Sequence, residues 1–322
     1  MKQPIVTIES LKKEYASKAS FWNRHSEVVR AVDGVSFSIE EGETFGLVGE
    51  SGSGKSTIGK SVLRLEEITE GTVEYKGQDL HRLSKNEMRK LRPKLQFVFQ
   101  DPFSSLNPRL RIGDALAEPL IDHGLASKKE AYDKVLETME LCGLPAYHMN
   151  KFPHEFSGGQ RQRIGIARAV IMDPEFIVAD EPVSALDVSI QAQIINLFQE
   201  LQEKKKMALL FISHDLSVVE HLCTRIGVLY LGTMMEMASR DQLYENPLHP
   251  YTKALLSAVP VADPKKRKDR IVLKGDIPNP ASPPSGCKFH TRCPLAMEAC
   301  KSTVPVFKEA EPGHYVACHL VE

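Results

Sequence analysis

An α/β fold built on a mainly parallel sheet is what this sequence predicts, and three observations predict it. Short apolar runs of strand length occur at Phe176-Ile177-Val178-Ala179 and Met207-Ala208-Leu209-Leu210-Phe211-Ile212. Continuous rather than alternating hydrophobicity marks strands covered on both faces. Between them Ile190, Ile194, Leu197 and Leu201 recur at helical spacing, the apolar stripe of one helix. Upstream, Glu43 to Gly49 reads as a strand that passes through a glycine loop into a helical stretch, Thr57 to Leu65. Strands alternating with helices are the pattern of a parallel α/β sheet.

Taken in order, residues 1 to 48 read as strands, with apolar clusters at Val6-Ile8, Val35-Phe37-Ile39 and Phe45-Leu47. Ser17 to Arg30 is polar and aromatic and reads as an inserted loop. Residues 56 to 65 fit a helix, 71 to 76 a strand, and the charged stretch 84 to 95 a helix. Residues 109 to 150 carry helical spacing with turn marks at Gly124 and Gly143, and a further helix is expected from Gly159. No internal repeat is visible. Beyond about Leu231, prolines 247, 250, 260, 264, 278, 280, 283 and 284 punctuate the chain, and four of its 6 cysteines lie between 287 and 318. That change predicts a separate small domain at the C-terminus. The run Lys265-Lys266-Arg267-Lys268, short and flanked by acids, reads as a solvated linker.

Composition narrows the function. The 322 residues are 42% hydrophobic and 26% charged, an ordinary globular mix. Lys+Arg total 41 against Asp+Glu 42, so nothing suggests a nucleic-acid partner. No apolar run approaches the roughly 20 residues of a membrane span. The start, MKQPIVTIES, lacks the apolar core of a signal peptide. The expectation is a cytosolic protein with reduced thiols, serving any membrane process by docking to other subunits.

Gly49-Glu50-Ser51-Gly52-Ser53-Gly54-Lys55-Ser56, with Thr57 next, matches G-x-x-x-x-G-K-[ST]. Glycines let successive backbone N–H groups turn toward phosphates, and the following helix adds its positive N-terminal end. Lys55 is expected to pair with the β- and γ-phosphates of ATP, and Ser56 to ligate Mg²⁺. The strand 176–179 ends in Asp180-Glu181. Asp180 is placed to hold Mg²⁺ through water, and Glu181 to polarise the attacking water.

Between these motifs lies Phe156-Ser157-Gly158-Gly159-Gln160-Arg161-Gln162-Arg163, which closely resembles the signature of the ABC (ATP-binding cassette) ATPase family. Gln100 resembles the family's Q-loop glutamine, Ser184-Ala185-Leu186-Asp187 its D-loop, and His214, after Leu210-Phe211-Ile212-Ser213, its switch histidine. The resemblance implies a P-loop NTPase of the ABC nucleotide-binding type: a RecA-like core, an antiparallel β subdomain and a helical subdomain at about 101–165. It places this cassette in residues 1–241 and a C-terminal extension in 242–322. It also implies a head-to-tail pair of ATPase subunits, in which Ser157, Gly158, Gly159 and Gln160 of one grip the γ-phosphate held by the other. Gln100 then adds an oxygen to Mg²⁺, His214 senses the γ-phosphate, and Asp187 reaches across the pair or caps the helix after it. Adenine stacks on an aromatic ring upstream of the glycine loop: Tyr15, with Phe21 and Trp22 as alternatives.

Pro247-Leu248-His249-Pro250-Tyr251-Thr252 and Gly286-Cys287 through Cys293-Pro294 resemble the C-terminal extension of the oligopeptide/dipeptide importer branch. That implies peptide uptake driven by ATP, with a second ATPase subunit, homologous or identical, two membrane permeases and an extracellular peptide-binding protein. The subunit would sit on the cytoplasmic face of the membrane. A nickel or other small-solute importer, and a soluble non-transport ATPase, are the alternatives. Cys287, Cys293, Cys300 and Cys318 lack the C-x₂-C pairs of common zinc folds. The resemblance favours a structural [4Fe–4S] cluster on them. Zinc, free thiols, and His314 or His319 as ligands remain open. Cys142 and Cys223 read as small buried hydrophobes.

Overall fold

The computed structural model describes residues 4–16, 28–101, 106–259 and 270–321. Phe21, Trp22 and the 265–268 run lie outside them. The chain forms two compact units: one gathers the described residues of Met1–Ile5, Ile39–Glu43 and Arg82–Ile212, the other those of Val6–Ser38, Thr44–His81 and Ser213–Glu322.

In the first unit the strands Leu95–Val98, Phe176–Asp180 and Ala208–Ser213 run parallel, with Phe176 opposite both Leu95 and Ala208. Every residue of the last two is buried, as the unbroken apolar runs require of strands covered on both faces. The helix Val188–Lys205 buries Ile194, Leu197 and Leu201. The stretch 109–150 resolves into helices Ile112–Asp122 and Lys128–Leu141. Gly124 and Gly143 follow them with φ of +65° and +67°, the left-handed geometry that ends helices. Both helices pack on Gly158–Val170, which begins one residue before the expected start. The charged stretch 84–95 is helical only over Lys85–Leu91, opened by a Ser84/Glu87 capping box; Pro93 follows, and the strand starts at Leu95.

The second unit holds a four-stranded sheet in the order Val28–Glu40, Pro4–Ala16, Glu70–Tyr75, Gln78–Asp79, its central pair antiparallel with Val6 opposite Tyr75. The loop expected over Ser17–Arg30 does not extend to its end: Val28, Val29 and Arg30 already belong to a strand, and residues 17–27 lie outside the described residues. Separately, Thr44–Val48 runs parallel to Arg225–Tyr230, which pairs antiparallel with Thr233–Ser239. His314–Val316 pairs with that strand, and Lys308–Glu311 with His314–Val316. This second sheet is thus mixed, and the described part of the tail adds two short strands to it. Among the described residues no helix is long and apolar enough to cross a membrane.

Candidate functional site

The glycine loop follows the fully buried strand Thr44–Val48. Gly46 lets that strand lie against the helix Leu216–Leu222: a Cβ there would sit 2.6 Å from Val219 Cγ1 and 2.9 Å from Cys223 Sγ. The loop itself turns on glycines that no other residue replaces. A Cβ on Gly49 would come within 2.2 Å of the Leu229 carbonyl, and one on Gly54, at φ +101°, within 2.2 Å of the Ala31 carbonyl. Ser51 and Gly52 are exposed, while Lys55 is buried. Lys55 Nζ folds back to donate to Gly49 O at 2.7 Å and Glu50 O at 3.0 Å. The helix Lys55–Val62 has Gly54 at its N-cap and no side-chain cap, so its N-terminus opens directly onto the loop. The loop is an anion cradle: backbone donors, a helix N-terminus and one lysine charge.

The tail reaches this loop. The Glu50 N–H donates to the Tyr251 hydroxyl at 3.0 Å. Arg292 grips the Glu50 carboxylate with both ends of its fork, Nη1–Oε2 2.6 Å and Nη2–Oε1 3.0 Å. Hydrogen bonding to Glu50 holds the guanidinium protonated above its ordinary range, and burial pushes the Tyr251 phenol up. Lys288 donates to Asp33 Oδ2 at 2.8 Å and Leu231 O at 2.9 Å. Burial raises Asp33, but the bond and charge of Lys288 outweigh it and hold the carboxyl low. Nothing in the sequence pointed to Tyr251 or Arg292 as partners of the loop. They lie 201 and 242 residues from Glu50.

In the other unit, Asp180 is buried at the end of its strand and Glu181 half-buried beyond it. Glu181 takes φ +44°, a left-handed turn that costs a non-glycine residue energy. Its N–H donates to Ile212 O at 3.0 Å. Gln100, exposed, donates Nε2 to Glu181 Oε2 and to Ser184 Oγ, both at 3.3 Å. Ser184 Oγ donates to Glu181 O at 3.1 Å. Gln100 and Glu181 are thus brought together, and Ser184, which the sequence marked only as the start of the D-loop resemblance, joins them.

Ser157 caps the helix Gly158–Val170. Gln160 N–H donates to Ser157 Oγ at 3.4 Å, and Ser157 N–H to Gln160 Oε1 at 3.1 Å. Gly158 is exposed and has room for a Cβ, whereas one on Gly159 would meet Ile190 Cγ2 at 2.6 Å. Asp187 occupies the N-cap of Val188–Lys205, but its side chain makes no capping bond and is exposed. His214 is exposed just past its strand. Tyr15, 40% exposed, gives its hydroxyl to Glu66 and has the Lys13 ammonium 4.9 Å from its ring centroid. Burial and the Glu66 bond raise its pKa, and Thr57 bonds the same hydroxyl.

The structure gives no support for the metal centre expected on Cys287, Cys293, Cys300 and Cys318. Among the described residues no group of three or more His, Cys, Asp or Glu side chains is arranged to hold a metal ion. The four cysteines are free thiols. Burial pushes Cys287 up to about 11 and raises Cys293 and Cys318, and the charges of the neighbouring cysteines add to each shift. Of the alternative ligands, His314 meets Glu236 through Nε2 at 2.7 Å, and His319 meets Thr303 O through Nε2 at 2.9 Å. Cys142 and Cys223 are buried as expected, and burial pushes Cys142 up to about 12.

Comparison with known proteins adds to this geometry. Residues 32–184 match the ABC transporter family, and residues 235–300 match the oligopeptide/dipeptide transporter C-terminal region. The chain is 54% identical over 321 residues to the oligopeptide transport ATP-binding protein AppF of Bacillus subtilis, covering 99% of this chain and 98% of that one. It is 48% identical to the di/tripeptide transport ATP-binding protein DppF of Pseudomonas aeruginosa, again over 99% and 98%. Among solved structures it resembles the dimeric bacterial ABC transporter cassette MJ0796, with a TM-score of 0.66 and 31% identity over 73% of this chain and 98% of that one. The same cassette in a post-hydrolysis state bound to ADP and Pi gives 0.65 over the same shares.

Proposed function

Because this chain belongs to the ATP-binding subunits of ABC transporters, in the oligopeptide/dipeptide branch, we propose that it hydrolyses ATP to ADP and phosphate to drive peptide import. The observation that carries this reading is the anion cradle of residues 49–56, on a chain alike along 99% of its length to a peptide transport ATPase. Lys55 binds the β- and γ-phosphates once it leaves the loop carbonyls. Gly49 to Thr57 supply backbone and hydroxyl donors. Ser56, Asp180 and Gln100 are the residues that would hold Mg²⁺, whose charge neutralises the phosphate oxygens. Glu181 accepts a proton from the attacking water, held in its turn by Gln100 and Ser184. His214 contacts the γ-phosphate, and Tyr15 offers a ring to adenine.

Ser157, Gly158, Gly159 and Gln160 serve the nucleotide of a second ATPase subunit, and Asp187 meets that subunit too. In that reading the signature helix turns its positive end to the γ-phosphate of the partner's ATP, and hydrolysis loosens the pair. The opening and closing would rock two membrane permeases at the cytoplasmic face, with peptide delivered by an extracellular binding protein. Residues 1–241 form the cassette, with a helical subdomain at about 101–165, and 242–322 the Cys/Pro-rich extension of the importer branch.

Replacing Glu181 with Gln tests the reading. The expected result is loss of hydrolysis with ATP retained and the subunits held as a pair, seen by phosphate release and by size on a column with MgATP. Turnover at the parent rate would reject the assignment of Glu181.

A further inference from the structure

We propose that Arg292 and Tyr251 are positioning residues of the phosphate loop: by holding Glu50, the C-terminal segment sets how tightly the loop binds nucleotide. The inference deepens the reading of residues 49–56 as the phosphate site and rests on it.

Glu50 is the second residue of a loop built to receive several negative charges. A carboxylate there repels them unless it is neutralised and turned away. Arg292 does both, through a two-pronged ion pair of 2.6 and 3.0 Å whose side chains are only 9% and 25% exposed. Such forks fix direction as well as charge. Tyr251 pins the same residue from its backbone side, accepting the Glu50 N–H. That amide is thereby committed to the tail, and the Ser53 N–H closes the turn on the Glu50 carbonyl at 3.2 Å.

The holders are themselves rigid. Tyr251 is fully buried, and Tyr230, Tyr251 and Phe289 meet with ring centroids 4.9, 5.2 and 5.3 Å apart. The Arg292 guanidinium lies 5.9 Å from the Tyr230 ring centroid. Tyr251 opens the helix Pro250–Ala258, where its own N–H donates to His249 Nδ1 at 3.0 Å. The chain before it is fixed by Glu236, fully buried, which accepts the N–H groups of Leu248 and His249 at 2.6 and 3.0 Å. A second strut runs from Lys288 to the Leu231 carbonyl. The neighbouring Gly232 N–H donates to Ser53 O at 2.8 Å. The tail thus braces both limbs of the loop, at Glu50 and at Ser53.

The test is MgATP affinity of the full chain, measured by titration calorimetry. Arg292→Met is expected to weaken binding about tenfold, the scale of one lost charge-assisted fork. Adding Glu50→Gln to Arg292→Met should recover most of that loss, because the exposed carboxylate is gone; a merely structural role for Arg292 gives no such rescue. Tyr251→Phe, which keeps the ring and deletes the acceptor, should weaken binding about threefold. A folded Arg292→Met chain binding MgATP within about twofold of the parent would overturn the inference, as would a double variant no tighter than the single one. If Arg292→Met does not fold, Arg292→Lys keeps the charge without the fork; unchanged affinity in it overturns the inference equally. Lys55→Ala separates the two levels. If it binds MgATP like the parent, the phosphate-loop reading itself fails; if it loses binding while Arg292→Met keeps it, the tail inference alone fails.

Discussion

The chain holds two glycine-rich turns at helix N-termini, and they are built in opposite ways. At residues 49–56 the helix has no side-chain cap, Gly49 and Gly54 are pressed against backbone carbonyls, and residues from the tail hold the loop from outside. At residues 157–160 the helix is closed by its own capping box, and Gly158 stands exposed. The first turn has no side chain of its own to close it and relies on distant contacts for its shape. The second spends its serine and glutamine on itself and needs little else. A turn that keeps a bound anion must be rigid before the anion arrives. A turn that meets one only when a second subunit docks is free to be complete without it.

The sharpest way to break the comparison is Gly54→Ala. The new Cβ would lie 2.2 Å from the Ala31 carbonyl at φ +101°, and backbone cannot step aside cheaply. Nucleotide binding should fall by about a hundredfold or more, with a stability loss of roughly 2–3 kcal/mol. Gly52→Ala, which meets nothing within 4 Å but keeps a φ of +77°, should cost only about 1 kcal/mol. Thermal unfolding and MgATP titration of both variants check this. Equal losses would mean that crowding against Ala31 is not what shapes the loop.

Acid sharpens it next. His249, on the tail side of the phosphate loop, is held neutral by burial, its pKa pushed down to about 4 against the nearby Glu236, which acts the other way. An unfolded histidine titrates near 6.5. Between those values the unfolded chain binds the extra proton, so stability is full above about 6.5 and is lost as pH falls toward about 4. Thermal midpoints should drop across that window. His249→Asn, which keeps a capping acceptor for the Tyr251 N–H, should flatten the drop. An equally steep slope in that variant would assign the acid sensitivity to other groups.

The same contrast explains what the sequence made legible. Local patterns gave the parallel strands, the glycine loop, the acidic strand end and the capping-box turn, because each is specified by neighbours within a few residues. The glycines at 124 and 143 ended helices where expected for the same reason. What stayed hidden is non-local. Glu236, charged and so expected on the surface, is fully buried because Leu248, His249 and His314 all donate to it. The bracing of Glu50 crosses more than half the chain, and no spacing rule encodes it. The cysteines run in the reverse direction: their residue type suggested a metal centre, and their arrangement among the described residues does not support it.

Gly159→Ala is a smaller effect, and one confined to the second turn. Its Cβ would press on Ile190 Cγ2 at 2.6 Å, a side-chain methyl on a half-buried residue that can yield. About 1–2 kcal/mol of stability should be lost, while MgATP affinity of the single subunit stays at the parent value. Hydrolysis, which the proposed pairing makes dependent on this turn, should fall at least tenfold. A matching loss of MgATP affinity in the lone subunit would erase the distinction between the two turns.

Ser157→Ala is expected to do least to the fold. It deletes one cap from a helix of 13 residues whose buried face, through Ile164, Ile166, Ala167 and Val170, is untouched. Losing a serine cap costs about 1 kcal/mol. Gln160 Oε1 still accepts the residue 157 N–H, so half of the box survives. The thermal midpoint should therefore fall by only a few degrees, roughly 2–4 °C for a chain of this size. If the turn were held from outside as the phosphate loop is, the same deletion would leave the midpoint unmoved, because other contacts would carry the load. A small but measurable drop is thus the signature of a turn that supports itself.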